Sequence, residues 1–263
     1  MLPSPIRRRG LHVREGDCDM KEHVVVYKCA DPWYDFNFPP AFARSNRFTP
    51  ECRWLSHDGS TWGRGWGPLR VDAGKGTVSG KDFNRRCKFS PQAYLPECPA
   101  SIYVDGNVEI TAQASTEVDA FLASGADIGL MLHAEGRTIP EEIAACRENG
   151  KLSASASDLA ERRFSQYVAE GLPEKAPIYY AGILMRRHRV PRLDAAMRDW
   201  ASEYADGVTR DQISLPFVLW RNHIRIHHIL GSYSDRKGVF VAHRHKTGRL
   251  LSDVNEWRKR RLR

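Results

Sequence analysis

Four short runs of apolar, strand-favouring residues divide this chain, and helix-forming segments separate them. They are His23-Val-Val-Val-Tyr27, Ser101-Ile-Tyr-Val104, Asp127-Ile-Gly-Leu-Met-Leu132 and Ile178-Tyr-Tyr-Ala-Gly-Ile-Leu-Met185. A run that is apolar at nearly every position, rather than every second one, is buried on both faces. Such strands alternating with helices predict an α/β fold, a single domain with a mostly parallel central sheet flanked by helices.

Helices are expected over Arg86–Tyr94, then from Thr116 and Asp119 through Leu122 to a stop near Gly125. Thr138 and Glu141, with Pro140 in the first turn, start another through Cys146. The next runs from the small-residue break at Ser153–Ser157 to about Glu170, where Gly171-Leu-Pro173 stops it. Leu193, Met197, Trp200 and Tyr204 mark one apolar helix face. Arg210–Trp220 reads as the last helix, with Pro216 near its start or kinking it, and Ile224–His228 reads as a late strand. Residues 31–67, dense in aromatics, Pro and Gly, read as packed irregular loops framing a cleft.

The 263 residues suffice for a sizeable core, and 41% hydrophobic content with 7 Trp indicates a globular chain. No apolar run approaches the ~18 residues of a spanning helix, and no apolar stretch follows the N-terminal arginines, so a cytoplasmic protein is expected. The formal charge of +8 lies at the ends: Arg7–Arg9 and the five cations among residues 258–263 account for all of it. A nucleic-acid partner is therefore not expected, whereas basic termini suit solvated tails or weak contact with the inner face of a membrane. The expected organisation is a flexible basic lead-in over 1–22, one domain over 23–240 and a basic tail over 241–263. The 6 cysteines show no C-x-x-C spacing and read as reduced, unpaired small hydrophobes.

The chemistry-bearing residues gather where strands end or helices begin. Asp105-Gly106-Asn107 follows the second strand run. Asp105 brings a carboxylate, Gly106 lets the backbone approach closely, and Asn107 offers a neutral oxygen, a donor set suited to a hard divalent cation, Mn2+ or Mg2+, travelling with a diphosphate. The same residues suit an Asp-Gly hairpin turn into a second strand, Val108-Glu109-Ile110. Arg85, Arg86 and Lys88 put three cations in four positions, with Arg85 and Lys88 on one helical face able to grip a diphosphate. His133 and Arg137 follow the third run, where they can orient a hydroxyl or phosphate. Asp211 and Gln212 open the last helix and can bracket hydroxyls. Of His223, His227 and His228, only one face of the strand can reach a given site, and His227 is taken as a third metal ligand.

In order and spacing these segments resemble a known family, the glycosyltransferase-like domain of plant mucilage- and turgor-related proteins and of bacterial polysaccharide-locus proteins. The resemblance runs from about Val24 to Trp220. It is carried by Tyr27 with Tyr34-Asp35; Arg85-Arg86-Cys87-Lys88; Tyr103-Val-Asp-Gly-Asn107; His133 with Arg137 and Glu141-Glu142; Tyr167 with Glu170-Gly171-Leu-Pro173; Arg186-Arg187-His188; and Arg210-Asp-Gln-Ile-Ser214 leading to Trp220. It implies a GT-A-like domain that transfers a sugar from a nucleotide-sugar donor to a cell-surface or capsular glycan or glycolipid. By the same resemblance Asp105 and Asn107 match the metal motif and Arg85, Arg86 and Lys88 neighbour the nucleotide. Asp211-Gln212 resembles a pair used near the transferred sugar, with Asp211 the candidate base of an inverting enzyme. Asn107 stands where the usual motif has a second Asp. Two other functions fit the residue types: a metal-dependent hydrolase using His133 and His227 or His228, and a non-catalytic carbohydrate-binding protein using the aromatic segment at 31–67.

Overall fold

The computed structural model describes residues 21–29, 37–56, 59, 63–71, 80–133, 136–231 and 238–243. Residues 1–20 and 244–263 of the expected tails, the Tyr34-Asp35 pair and Trp62 lie outside the described residues.

Among the described residues seven strands form one sheet in the order β3-β2-β1-β4-β7-β6-β8. They are β1 (Glu22–Lys28), β2 (Phe48–Ser56), β3 (Gly67–Arg70), β4 (Ala100–Val104), β6 (Ile128–Leu132), β7 (Tyr179–Arg187) and β8 (Ile226–His228). Six run in one direction; β7 runs against both of its neighbours, β4 and β6. The expected α/β fold with a mostly parallel sheet is observed, and the longest apolar run supplies its single reversed strand.

The helices are α1 (Gly80–Phe89), α2 (Ala114–Ser124), α3 (Ile139–Glu148), α4 (Ala154–Ala169), α5 (Pro191–Ala205) and α6 (Asp211–Arg221). Alternate strand residues divide the core. Val25, Tyr27, Tyr103 and Leu184 pack with residues of α1, α3, α4, α5 and α6, whereas Val24, Val26, Ile102, Val104 and Met185 face the layer that holds α2. The latter layer includes a two-stranded sheet of β5 (Val108–Ile110) and β9 (Phe240–Ala242).

Several elements differ from expectation for physical reasons. Asp105-Gly-Asn107 does form a turn, with the Val108 N–H donating to the Asp105 carbonyl at 3.0 Å. It is not a hairpin: β1 and β7 already occupy both edges of β4, so β5 leaves the sheet and pairs with β9. β9 and His243 thereby belong to the folded unit, beyond the expected boundary at 240. The 31–67 segment is not purely loop, since it holds β2 and ends at the first residue of β3. Pro50 and the half-exposed Glu51 and Arg53 broke the apolar pattern of β2. Trp54 and Trp66 of this region are buried and meet edge-on at 6.5 Å, rather than lining a cleft. α1 starts six residues earlier than expected and ends at Phe89, because Pro91 confines the following residues to a short 3-10 turn. Pro216 sits inside α6, which nevertheless continues to Arg221. The Thr138–Glu141 capping box is present, with the Thr138 N–H donating to Glu141 at 2.7 Å.

His188, at the end of β7, is buried and bonds Ser101 of β4 through Nε2 at 2.8 Å. Burial first, and the charge of Arg186 second, push its pKa down to about 4. The unfolded chain takes up this proton near pH 6.5 while the folded one does not, so this contribution to stability is complete above pH 6.5 and is lost as pH falls toward 4. The loss amounts to about 3 kcal/mol over that window. In urea titrations at stepped pH, His188→Gln should flatten the fall in stability between pH 6.5 and 5, where the carboxylates contribute little; an unchanged slope would contradict the assignment.

Candidate functional site

The strand order reverses between β1 and β4: the chain leaves β1 toward β2 and β3 on one side and continues from β4 on the other. In open α/β sheets ligands collect beyond the carboxyl ends of the strands at such a point. Asp105 stands there, directly after β4. Its carboxylate accepts the Tyr103 hydroxyl at 2.5 Å, and Tyr103 in turn accepts from the Asn84 amide of α1 at 2.9 Å. Asn84 also donates to the Cys29 carbonyl at the end of β1. Across the sheet the Asp105 N–H donates to Gly182 of β7 at 2.8 Å. A methyl group at Gly182 would lie 2.7 Å from the Tyr180 ring and 2.8 Å from Asp105 Oδ2, so glycine is required for the carboxylate to occupy this position.

α1 delivers cations beside it. Lys88 is 1% exposed, donates to Asp211 Oδ2 at 2.5 Å, and lies 5.2 Å from the Tyr103 ring centre and 5.7 Å from that of Trp200. Arg85, one turn earlier on the same face, approaches the same carboxylate at 3.4 Å and remains partly exposed. Arg86 lies on the exposed side of α1, where its charge acts on Tyr94, so of the three expected cations Arg85 and Lys88 meet at Asp211.

Asp211 opens α6 and is buried. Burial alone would raise its carboxyl pKa, but Lys88 and Arg85 outweigh it and hold the group well below the usual carboxylate range. A carboxylate so committed has little affinity for a proton, which makes Asp211 a poor general base and a good fixed anchor. Its carbonyl accepts the Trp200 indole at 2.9 Å, while Gln212 donates to the Tyr179 carbonyl at 3.2 Å and ties α6 to β7. Next to Asp211, Arg210 reaches Glu142 at 3.0 Å; Arg137 reaches the other Glu142 oxygen at 3.2 Å. Burial raises the Glu142 pKa less than Arg210 and its other partners lower it, so it too stays ionised. Among the described residues four cations thus meet two buried carboxylates, Asp211 and Glu142, with Asp105 a third carboxylate nearby. His133 is buried at the same edge, its N–H on the Ile178 carbonyl at 3.1 Å.

Two further buried cations, Arg186 and Lys28, stand behind this cluster. Arg186, fully buried on β7, donates to the Lys88 carbonyl and to the Tyr27 hydroxyl. Lys28, buried at the end of β1, donates to the carbonyls of Gly106 at 3.2 Å and Val108 at 2.7 Å. Arg186 lay within a family motif, whereas nothing local distinguished Lys28.

The expected metal ligands are not brought together. His227 bonds Glu117 of α2 at 2.8 Å, and β8 lies three strand spacings from β4, about 14 Å. Asn107 commits its amide Nδ2 to the His243 carbonyl at 2.5 Å, and its Oδ1 is enclosed. Among the described residues no group of three His, Cys, Asp or Glu side chains is placed to share an ion. Asp105 alone of the expected three stands at the cleft, which does not amount to a protein-built metal site. Among the described residues no helix is long and apolar enough to cross a membrane. The five described cysteines are free.

No protein-family model matches the chain, and no curated protein matches its sequence. Among solved structures it is similar to mouse xyloside xylosyltransferase 1 in its apo form, at 11% identity and a TM-score of 0.42, over 79% of this chain and 84% of that one. A likeness that distant carries no weight for function.

Two substitutions test the geometry. Asp211→Asn leaves the Lys88 ammonium buried without its counter-charge and should cost about 3 kcal/mol or more in urea unfolding. Adding Lys88→Met should recover most of that loss; a double variant no more stable than the single one would contradict the pairing. Gly182→Ala should cost about 1–3 kcal/mol and, in a crystal structure of the variant, displace Asp105 or Tyr180; an unmoved carboxylate would contradict the close fit.

Proposed function

We propose that the protein is a glycosyltransferase, taking a sugar from a nucleotide-sugar donor and passing it to a cell-surface or capsular glycan or glycolipid. One observation carries the reading. Segments far apart in sequence, at 84–88, 103–105, 137–142 and 210–212, converge on the carboxyl edge of the sheet at its switch point and, among the described residues, bring four cations to it.

In such a reaction the bond from the anomeric carbon to the donor phosphate oxygen breaks as the acceptor oxygen bonds to that carbon. The nucleoside diphosphate leaves with the electron pair, and the proton of the acceptor hydroxyl passes to the departing phosphate oxygen or to water. The main catalytic requirement is to stabilise charge growing on the leaving diphosphate. Arg85 is the cation best placed for this, being anchored by Asp211 and Asn84 yet still partly open. Lys88 is too enclosed to touch a ligand and acts by holding Asp211 and α6 in place. The amino end of α6, flanked by Arg210, adds a favourable dipole for an anion. A divalent cation riding on the diphosphate would find one protein carboxylate, Asp105, with its remaining ligands drawn from phosphate and water. The hydrolase alternative has no set of three metal ligands among the described residues. The carbohydrate-binding alternative loses Trp54 and Trp66 to the core.

Calorimetric titration with a panel of nucleotide-sugars, with and without manganese, tests the reading. At least one donor should bind; Arg85→Ala should weaken it by about 10- to 100-fold, and Asp105→Ala should abolish transfer. If no donor binds or turns over, and Asp105→Ala leaves any detectable activity intact, the protein is not a glycosyltransferase.

A further inference from the structure

The turn that carries Asp105 is held from three sides. The Val108 N–H closes it onto the Asp105 carbonyl at 3.0 Å, and Lys28 supports it from the end of β1 through the carbonyls of Gly106 and Val108. The third hold is a two-way pair between Asn107 and His243, 136 positions away in sequence. The Asn107 carbonyl accepts the His243 N–H at 2.9 Å, and the Asn107 side-chain Nδ2 donates to the His243 carbonyl at 2.5 Å. His243 is fixed in turn: it follows β9, its ring stacks on Phe38 at 4.2 Å, and its Nε2 meets Glu109 at 2.8 Å.

Only an amide among side chains of this size offers both the reach and the donor that the His243 carbonyl requires. An ionised aspartate has acceptors only and would set a carboxylate against that carbonyl, at a residue 7% exposed. The Asn107 Oδ1 is enclosed and has no hydrogen-bond partner among the described residues, so a hydrated ion in the cleft does not reach it.

We propose that Asn107 is a positioning residue, whose amide pins the Asp105 turn to His243 and β9, and that a carboxylate at 107 weakens the site instead of completing a cation-binding pair. The proposal rests on Asp105 belonging to a nucleotide-diphosphate site, and it separates two roles that make opposite forecasts. If Asn107 were a cation ligand, aspartate would serve as well or better and alanine worst. As a latch, asparagine is best, alanine loses one hydrogen bond, and aspartate adds a repulsion to that loss.

The experiment compares wild type, Asn107→Ala and Asn107→Asp near neutral pH, by thermal melting and by calorimetric titration with UDP, ADP, GDP and CDP in the presence of manganese. Both readouts should rank asparagine above alanine above aspartate. The aspartate variant should bind at least about tenfold more weakly than wild type and melt on the order of 5 °C lower. An aspartate variant that fails to fold while the alanine variant folds gives the same ranking at its extreme. Aspartate ranking above alanine in either readout overturns the proposal; this includes the case in which Lys28 captures the new carboxylate. If no nucleoside diphosphate binds the wild type, the transferase reading fails, and the melting order alone decides the latch.

Discussion

An ammonium group enclosed in the core, Lys88 against Asp211, is the constraint from which the rest of this site follows. An ion so placed must have its counter-charge in contact, and here the two come from α1 and α6, 123 positions apart in sequence. The pair therefore fixes where two helices sit relative to each other and to the ends of β1 and β4. A buried ion pair is seldom the most stabilising choice, since well-packed apolar residues often do as well. What it contributes here is geometry. It keeps Asp211 ionised, sets Arg85 beside the cleft, and leaves the α6 amino end facing the same edge as Asp105. Arg186 and Tyr27 extend the constraint, holding the last carbonyls of α1 from beneath through Arg186 on Lys88 and Tyr27 on Cys87.

The functional consequence is a division of labour among groups that look alike in sequence. Lys88 and Arg85 are three residues apart, yet one is sealed and structural while the other keeps an open side. Asp105 and Asp211 are both carboxylates near the cleft, yet Asp211 is bound between two cations and Asp105 shares a hydrogen bond with a tyrosine. Glu142, between Arg137 and Arg210, repeats the first arrangement a short way along the edge. The cleft thus pairs fixed cations with two salt-bridged carboxylates, Asp211 and Glu142, that have little affinity for a proton. That suits departure of an anionic leaving group better than it suits general-base chemistry.

Much of this was legible in the sequence wherever the signal was local. The buried strands announced themselves by continuous apolar runs, and the Asp105 turn by an acidic Gly-containing break after one of them. The partner of each buried charge was not legible, because a contact between residues 68 or 123 positions apart leaves no trace in spacing. β2 is not legible because its proline and half-exposed charges interrupt the strand pattern. The hairpin alternative kept its turn and its second strand but not their pairing, for a reason visible only in the assembled sheet: β4 had no free edge. His227 fell on a strand of the right kind but three positions away across the sheet, facing α2.

The most direct test of the central claim is hydrogen–deuterium exchange with and without a saturating nucleotide-sugar. If the edge between α1, the Asp105 turn and α6 is the donor site, ligand should slow exchange at 84–89, 105–108 and 211–214 while leaving α4 and β8 unchanged. Protection confined to other segments, or none at a concentration that titration shows to be saturating, would contradict the account.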